Sequence, residues 1–496
     1  MATNTVRAMR AASSASITLR ASANATARHN LSIHIRTKMH KHYQTKRALL
    51  STAAATQSFP EEPKNEEHEY KLNNNDVEAT ANPHFPRMFQ SLDLGPSIGK
   101  LPNRILMGSM HTGLEGHSIP NFLTPFLKPE VNHDNLDAMA AYFEARAKGG
   151  AGLMVTGGIA PNREGWVGPF AAKLSTRDEM ILHKEVTERV HNVIVPSYDG
   201  SLQRQVQVHN QNQIVSEKER GERARICLQI LHAGRYAHHP FAVSASPTRS
   251  PISMFQARPL SLSQIQTTIS DFVNCAVLAK EAGYDGVEIM GSEGYLIHQF
   301  IAPRTNHRTG PEDPYSGESL ENRMRFAVEI VKETRQAVGD DFILIFRLSM
   351  LDLVEQGSSW EEIKIMAQAI EDAGATIINT GIGWHEARIP TIATSVPRGS
   401  FAYVTQKMKM ENVVDIPLCA TNRVNAPKVG ENILETEGAD LVSMARPFLA
   451  DPEIVQKSRE GRVEEINTCI ACNQACLDHA FVGKTASCLV NPMACQ

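Results

Sequence analysis

Along this chain, short runs of apolar and β-branched residues alternate with stretches whose apolar positions recur every third or fourth residue. Eight runs stand out, at 105–110, 153–157, 226–232, 286–290, 342–349, 376–380, 416–421 and 440–444. They are nearly continuous in apolar character, as strands are when both faces of a parallel sheet are covered. The intervening stretches read as amphipathic helices. The clearest follows Ser263, where Ile265, Ile269, Phe272, Ala276 and Ala279 would line one buried stripe. Several of these helices run out at a glycine (Gly283, Gly374 and Gly438), where a residue of positive φ is expected to stop the helix. Eight β-then-α units in ~380 residues predict a (β/α)8 TIM barrel, with a doubly wound open sheet as the alternative.

Polar residues interrupt the pattern where the strands end. In barrels the chemistry lies at the C-terminal ends of the strands. Ser109, Met110 and His111 follow the first run and Gly157 the second, while Gln229, His232, Arg235 and Tyr236 belong to the third. Glu293, Tyr295 and Arg304 follow the fourth, Arg347 lies in the fifth, and Asn379, Thr380 and His385 close the sixth. Asn422 and Arg423 follow the seventh, and Ala445, Arg446 and Pro447 the eighth. Glycine lets backbone approach a flat ring or a phosphate closely, and the last two strands of barrels commonly hold phosphate. A cofactor with a planar ring and a phosphate tail fits this layout. No Gly-x-Gly-x-x-Gly follows any strand, so no dinucleotide-binding fold is expected within these residues. Residues 196–222, rich in Gln, Asn and charge, precede the third strand and are expected to be a surface insertion on the opposite face.

Charge changes the picture at the N-terminus. The chain of 496 residues carries a net charge of -4, yet residues 1–60 hold nine Lys or Arg and no Asp or Glu. An Arg-, Ser- and Ala-rich, acid-free leader reads as a mitochondrial transit peptide directing the chain to the matrix, with a basic tail that carries no address as the alternative. Residues 61–84 form a polar linker, 85–462 the barrel and 463–496 a terminal segment. The overall balance gives no reason to expect a nucleic-acid partner, and no apolar run is long enough to span a bilayer.

Four of the eight cysteines stand in that terminal segment, as Cys469-Ile-Ala-Cys472-Asn-Gln-Ala-Cys476 and then Cys488 after an eleven-residue gap. Three thiolates from one tight loop and a fourth to close the cage suit an iron–sulfur cluster. Zinc is the alternative, although structural zinc sites more often pair two short knuckles across a longer separation. Cys227, Cys275 and Cys419 fall in apolar segments and are expected to be buried thiols, not parts of a disulfide framework.

The longer motifs are recognisable. MGSMHTG, LQILHAGRY, EAGYDGVEIMGSEGYLI, RLSMLDLVE, GIGWHEARIPTIAT, SMARPFLAD and INTCIACNQACLD, closing with SCLVNP, resemble the bacterial-type 2,4-dienoyl-CoA reductases. These are Old Yellow Enzyme-like flavin barrels joined to an iron–sulfur cluster. The resemblance spans roughly residues 85–496 apart from the insertion. It implies FMN flanked by Ser109, Met110 and His111, with Gly157 and Gln229 at its polar edge, Arg347 near its anionic edge, and Asn422, Arg423, Ala445 and Arg446 at its phosphate. It implies Cys469, Cys472, Cys476 and Cys488 as ligands of a [4Fe–4S] cluster, and Tyr295 and His385 as a proton-donating pair. It further implies Glu386, Ala387, Arg388 and Ile389 as the substrate-contact loop, and a CoA substrate would make Arg304 or Arg388 a candidate partner for its phosphates. The implied activity is reduction of 2,4-dienoyl-CoA thioesters in the oxidation of unsaturated fatty acids. Other activated alkenes, and a non-catalytic remnant, are the alternatives. Members of the family continue into FAD- and NADPH-binding domains, so electrons are expected from such domains or from a separate reductase.

Overall fold

The computed structural model describes residue 82 and residues 84–119, 136–196, 221–481 and 483–496. The chain divides into two units, Met1–Asn74 and Asn75–Gln496, and all described residues belong to the second. The expected leader, most of the linker and residues 197–220 of the insertion lie outside the described residues.

Eight parallel strands close into a barrel: β1 (Ile105–Met107), β2 (Leu153–Ile159), β3 (Arg225–Ile230), β4 (Gly286–Gly291), β5 (Ile343–Leu351), β6 (Ile377–Ile382), β7 (Leu418–Ala420) and β8 (Leu441–Met444). Sequence neighbours pair throughout, and β8 returns to β1 through Val442↔Ile105 and Met444↔Met107. All eight expected strands are present, and the open sheet is excluded by this closure. Helices alternate with them: α1 (Asp137–Lys148), α2 (Arg177–His191), α3 (Leu262–Glu281), α4 (Leu296–Ile301), α5 (Leu320–Val338), α6 (Trp360–Asp372), α7 (Ala402–Met410) and α8 (Pro427–Glu435).

Local chemistry starts and stops them. Ser261 and Gln264 form a reciprocal capping box on α3, as Thr176 and Glu179 do on α2 and Ser359 and Glu362 on α6. The predicted stripe of α3 is buried in full. Gly283 and Gly374 take the left-handed conformation expected after a helix, at φ 94° and 103°. Gly438 does not. There the left-handed residue is Glu437 at φ 54°, because α8 ends at Glu435 and the chain reverses one residue before the glycine.

Two apolar layers result. Outward-facing strand residues pack against the helices in one continuous cluster. Inside the barrel a smaller cluster gathers Leu101, Leu106, Leu153, Val155, Cys227, Ile343, Ile345, Ile377, Cys419 and Leu441. Side chains alternate along a strand, so the next inward residues toward the C-terminal ends are Gln229, Glu288, Arg347 and Asn379. The interior therefore changes from an oily floor to a polar upper layer. Cys227 and Cys419 sit in that floor, where burial pushes both thiols well up, and Cys275 is likewise buried.

The insertion leaves from the opposite end. Its base is a two-stranded antiparallel pairing of Ile194–Pro196 with Gly221–Arg223, just before β3.

The terminal segment packs on the C-terminal end of the barrel. Asn425 Nδ2 donates to the Cys469 carbonyl (2.8 Å), Thr394 Oγ1 to that of Ile470 (2.7 Å) and Asn491 Nδ2 to that of Leu449 (3.0 Å), while the Ala486 amide donates to the Thr112 carbonyl (2.7 Å). Loops after β1, β6 and β7 and the helical turn after β8 thus all hold it.

Candidate active site

The polar upper layer is a connected network. Gln229 Nε2 donates to Glu288 Oε1 and to Ser109 Oγ, both at 2.7 Å, and Asn379 Nδ2 donates to Glu288 Oε2 at 2.6 Å. Glu288 is fully buried and joins three strands. Sequence reading passed over it, although a lone carboxylate inside the apolar run of β4 was the available signal.

Arg347, on β5, meets Glu293 beyond β4, with Nη2 2.9 Å from Oε1. Burial works against its charge, but Glu293 and Glu288 outweigh this and push the guanidinium further up, so it stays cationic. Glu293 adopts φ 52°, a left-handed conformation that non-glycine residues rarely hold.

Tyr295 and His385 come together, with Oη and Nε2 2.8 Å apart and the rings edge-on at a centroid distance of 5.0 Å. Tyr236 packs edge-on against both. Burial, with Glu293 adding and Arg347 opposing, pushes the Tyr295 phenol well up. Partial desolvation holds the His385 imidazole below its ordinary value, with His111 and Arg347 adding to it and Glu293 opposing it. This holds although the residue is exposed at the barrel mouth.

The loop after His385 divides in two. Ala387 packs on the Tyr236–Trp384 cluster, and Arg388 and Ile389 are exposed. Glu386 turns inward instead. Its side chain is 2% exposed and its Oε1 lies 2.7 Å from Arg235 Nη2 and 2.8 Å from Arg304 Nε. Both expected ligand contacts, Glu386 and Arg304, are thus engaged with each other, Arg304 keeping 31% of its side chain open. Arg235, one of the polar residues that close the third run, was given no role from the sequence and holds this loop from within.

Gly157 also permits a close backbone approach. A Cβ there would lie 2.5 Å from Glu115 Oε1 and 2.6 Å from the Met110 carbonyl oxygen. The glycine lets the loop carrying Ser109, Met110 and His111 lie directly on β2. His111 Nε2, at the edge of this loop, is buried with no protein partner.

At the ends of β7 and β8, Asn422 and Arg423 are consecutive left-handed residues, at φ 65° and 62°. Arg423 Nε donates to the Val396 carbonyl at 2.8 Å, while its Nη1 is buried without a partner. Burial and the proximity of Arg446 and Arg398 lower its pKa, with Cys469 opposing. Clustered cations with an orphaned donor suit an anion. Arg446, which follows Ala445, donates from Nη1 to Asn473 Oδ1 in the cysteine loop, so this corner is also tied to the terminal segment. The polar layer, the orphaned atoms of His111 and Asn379, and the arginine corner together fit a planar ring with a phosphate tail.

Cys469, Cys472, Cys476 and Cys488 line one shallow, open hollow together with Arg446 and Leu449. Ala471 and Asn473 between them are left-handed, at φ 56° and 63°, a strained loop of the kind found at binding sites. Among the described residues no three His, Cys, Asp or Glu side chains converge closely enough to grip a single metal ion.

Residues 87–465 match the NADH:flavin oxidoreductase / NADH oxidase family. The chain belongs to that family. It is 37% identical over 399 residues to the metal reductase of Desulforamulus reducens, covering 80% of this chain and 52% of that protein. It is 32% identical over 420 residues to the NADH oxidase of Thermoanaerobacter brockii, covering 83% and 56%. Among solved structures, a 2-naphthoyl-CoA reductase in complex with 2-naphthoyl-CoA superposes with a TM-score of 0.70 at 27% identity, covering 83% of this chain and 58% of that one. The chain thus spans little more than half the length of these relatives. Its fold is the Old Yellow Enzyme-like barrel, and FMN is the flavin of that family.

Proposed function

We propose that this flavin-dependent oxidoreductase reduces carbon–carbon double bonds conjugated to a carbonyl group. The Tyr295–His385 contact carries the reading, since it places a protonated phenol beside a neutral imidazole at the mouth of the polar layer. Such an alkene accepts hydride at its far carbon because the carbonyl withdraws electrons, and the enolate left behind needs a proton.

FMN, when bound and reduced, supplies the hydride. In this reading Ser109, Met110, His111, Gly157 and Gln229 border its ring, and the fixed cation of Arg347 favours an anionic ring edge. Asn422, Arg423, Ala445 and Arg446 take its phosphate. Tyr295 gives its proton to the enolate carbon. His385, with its proton on Nε2, donates to the phenol oxygen and steadies the charge that remains.

Cys469, Cys472, Cys476 and Cys488 are read as the cage of a [4Fe–4S] cluster that relays electrons from an NADPH/FAD reductase domain or partner. The spacing of the four cysteines favours a cluster over a single zinc ion, because three thiolates come from one tight loop and a fourth closes the cage.

Within activated alkenes we favour CoA thioesters, 2,4-dienoyl-CoA first, on the sequence motifs and the likeness to a naphthoyl-CoA reductase. Arg388 and Ile389 are the exposed loop residues available to such a substrate. The basic leader supports a location in the mitochondrial matrix, which a fluorescent fusion of residues 1–60 tests.

The deciding experiment photoreduces the protein without oxygen, mixes it with a 2,4-dienoyl-CoA, cyclohexenone or cinnamate, and follows flavin absorbance. Reoxidation that falls on the order of 10²-fold in Tyr295→Phe is expected. Flavin that stays reduced with all three would reject the reading, and preference for the free enone over the thioester would reject only the CoA assignment.

A further inference from the structure

Behind Tyr295 and His385 lies a second acid–base pair. His298, on α4, is 1% exposed, and Asp352, just past β5, is 3% exposed. Their Nε2 and Oδ1 atoms are 3.0 Å apart, off the straight N–H line. A buried ionisable pair is costly to maintain, and a packed apolar pair would fill this space at no such cost. Its contacts show what it holds.

On one side, His298 Nδ1 accepts the amide of Gly294, the residue before Tyr295, at 3.0 Å. That bond requires an unprotonated Nδ1 and so puts the ring proton on Nε2, facing Asp352. On the other side, the imidazole lies against Trp384, the residue before His385, with centroids 4.5 Å apart. Asp352 grips the same residue through its backbone, since its carbonyl accepts the Trp384 amide at 3.1 Å. The Asp352 carboxylate is anchored in turn by Ser349 Oγ (2.6 Å) and the Ser358 amide (2.7 Å). Gly294 is left-handed at φ 84°, and a Cβ there would lie 2.4 Å from Trp384 Cε3 and 2.4 Å from Tyr236 Oη. The two chain segments therefore meet with no slack directly behind the residues that must meet at 2.8 Å.

We propose that the Asp352–His298 pair is a positioning device that sets the Tyr295 phenol against the His385 imidazole. It rests on the proton-donor reading above. One imidazole fixes the stem of Tyr295 by a hydrogen bond and the stem of His385 by ring contact, while Asp352 fixes the imidazole and the backbone of the second stem. Misplacement of a reacting group by about 1 Å costs on the order of 10²-fold in rate, so a device behind the pair is under the same constraint as the pair itself.

The test compares His298→Phe, which keeps a ring against Trp384 but cannot accept the Gly294 amide, with His298→Asn, whose side-chain oxygen can. In the photoreduced holoenzyme, His298→Phe is expected to slow alkene-dependent reoxidation at saturation on the order of 10²-fold. The alkene concentration at half-saturation and reoxidation by ferricyanide, which needs no proton donor, should stay unchanged. His298→Asn should recover at least a tenth of the parent rate.

A second readout needs no flavin. In protein labelled with 3-fluorotyrosine, the fluorine resonance of Tyr295, assigned by its loss in Tyr295→Phe, should move in His298→Phe and return in His298→Asn. An unmoved resonance, or alkene and ferricyanide rates falling together, would overturn the proposal. If Tyr295→Phe itself kept the parent rate, the proton-donor reading would fall. The fluorine resonance would still decide whether His298 positions residue 295.

Discussion

Gly157 shows how tightly single positions are set. The space for its missing Cβ is filled by the Met110 carbonyl and Glu115 Oε1, the latter already accepting both the amide and the hydroxyl of Thr112. Neither neighbour is free to move, so Gly157→Ala is expected to cost about 1–3 kcal/mol and to displace the Ser109–His111 loop. Thermal melts would show the first effect and weakened FMN retention on dialysis the second. Glu386 is the converse case, a carboxylate whose removal strands a charge. Glu386→Ala leaves Arg235 buried and unpaired, and a loss of about 3–5 kcal/mol is expected in urea unfolding. The family resemblance made Glu386 a ligand contact, as part of the loop 386–389. Its inward turn depends on Arg235 and Arg304, which are remote in sequence.

At the scale of elements, strands and helices were legible because a barrel repeats one local rule eight times. Continuous apolar runs need cover on both faces, and the stripe of α3 needs a sheet to lie on. What failed was the detail of how a turn closes, as at Glu437 and Gly438. Two histidines packed between elements make the barrel sensitive to acid. His183 on α2 is buried with Nδ1 2.8 Å from Tyr284 Oη, and burial holds its pKa down to about 4, with Glu179 opposing. His232, beyond β3, is pushed down to about 3 by burial, with His239 adding to it and its own backbone opposing. In the unfolded chain both titrate near 6.5. The unfolded state therefore binds more protons between those values, and their stabilisation is complete above about pH 6.5 and declines as pH falls toward 4 and then 3. For His183 alone the loss amounts to roughly 3 kcal/mol. Urea titrations from pH 7 to pH 4 should show this decline, and His183→Gln should flatten it.

Over the whole molecule, the barrel and the terminal segment form separable layers of one site. The segment is held by backbone-directed bonds from four strand ends, with the cysteine hollow between it and Arg446. Anaerobic preparations should carry about four irons per chain, and Cys472→Ala should abolish them while far-ultraviolet circular dichroism keeps the barrel signal. Removing the iron by chelation should speed proteolysis within 463–496 and leave the cleavage rate elsewhere in the chain unchanged. Zinc at one equivalent, in place of iron, would contradict the cluster. The sequence by itself determined the eight-fold β/α repeat, the strand ends as the place for chemistry, and the cysteine spacing, because each is a periodic or local pattern. It also brought Tyr295 and His385 forward through long motifs. Only the tertiary structure decided that Glu288 ties the polar layer together, that Glu386 faces inward, and that His298 and Asp352 stand behind the Tyr–His pair. Those roles arise where strand ends distant in sequence converge, and no local pattern records which side chains will meet there.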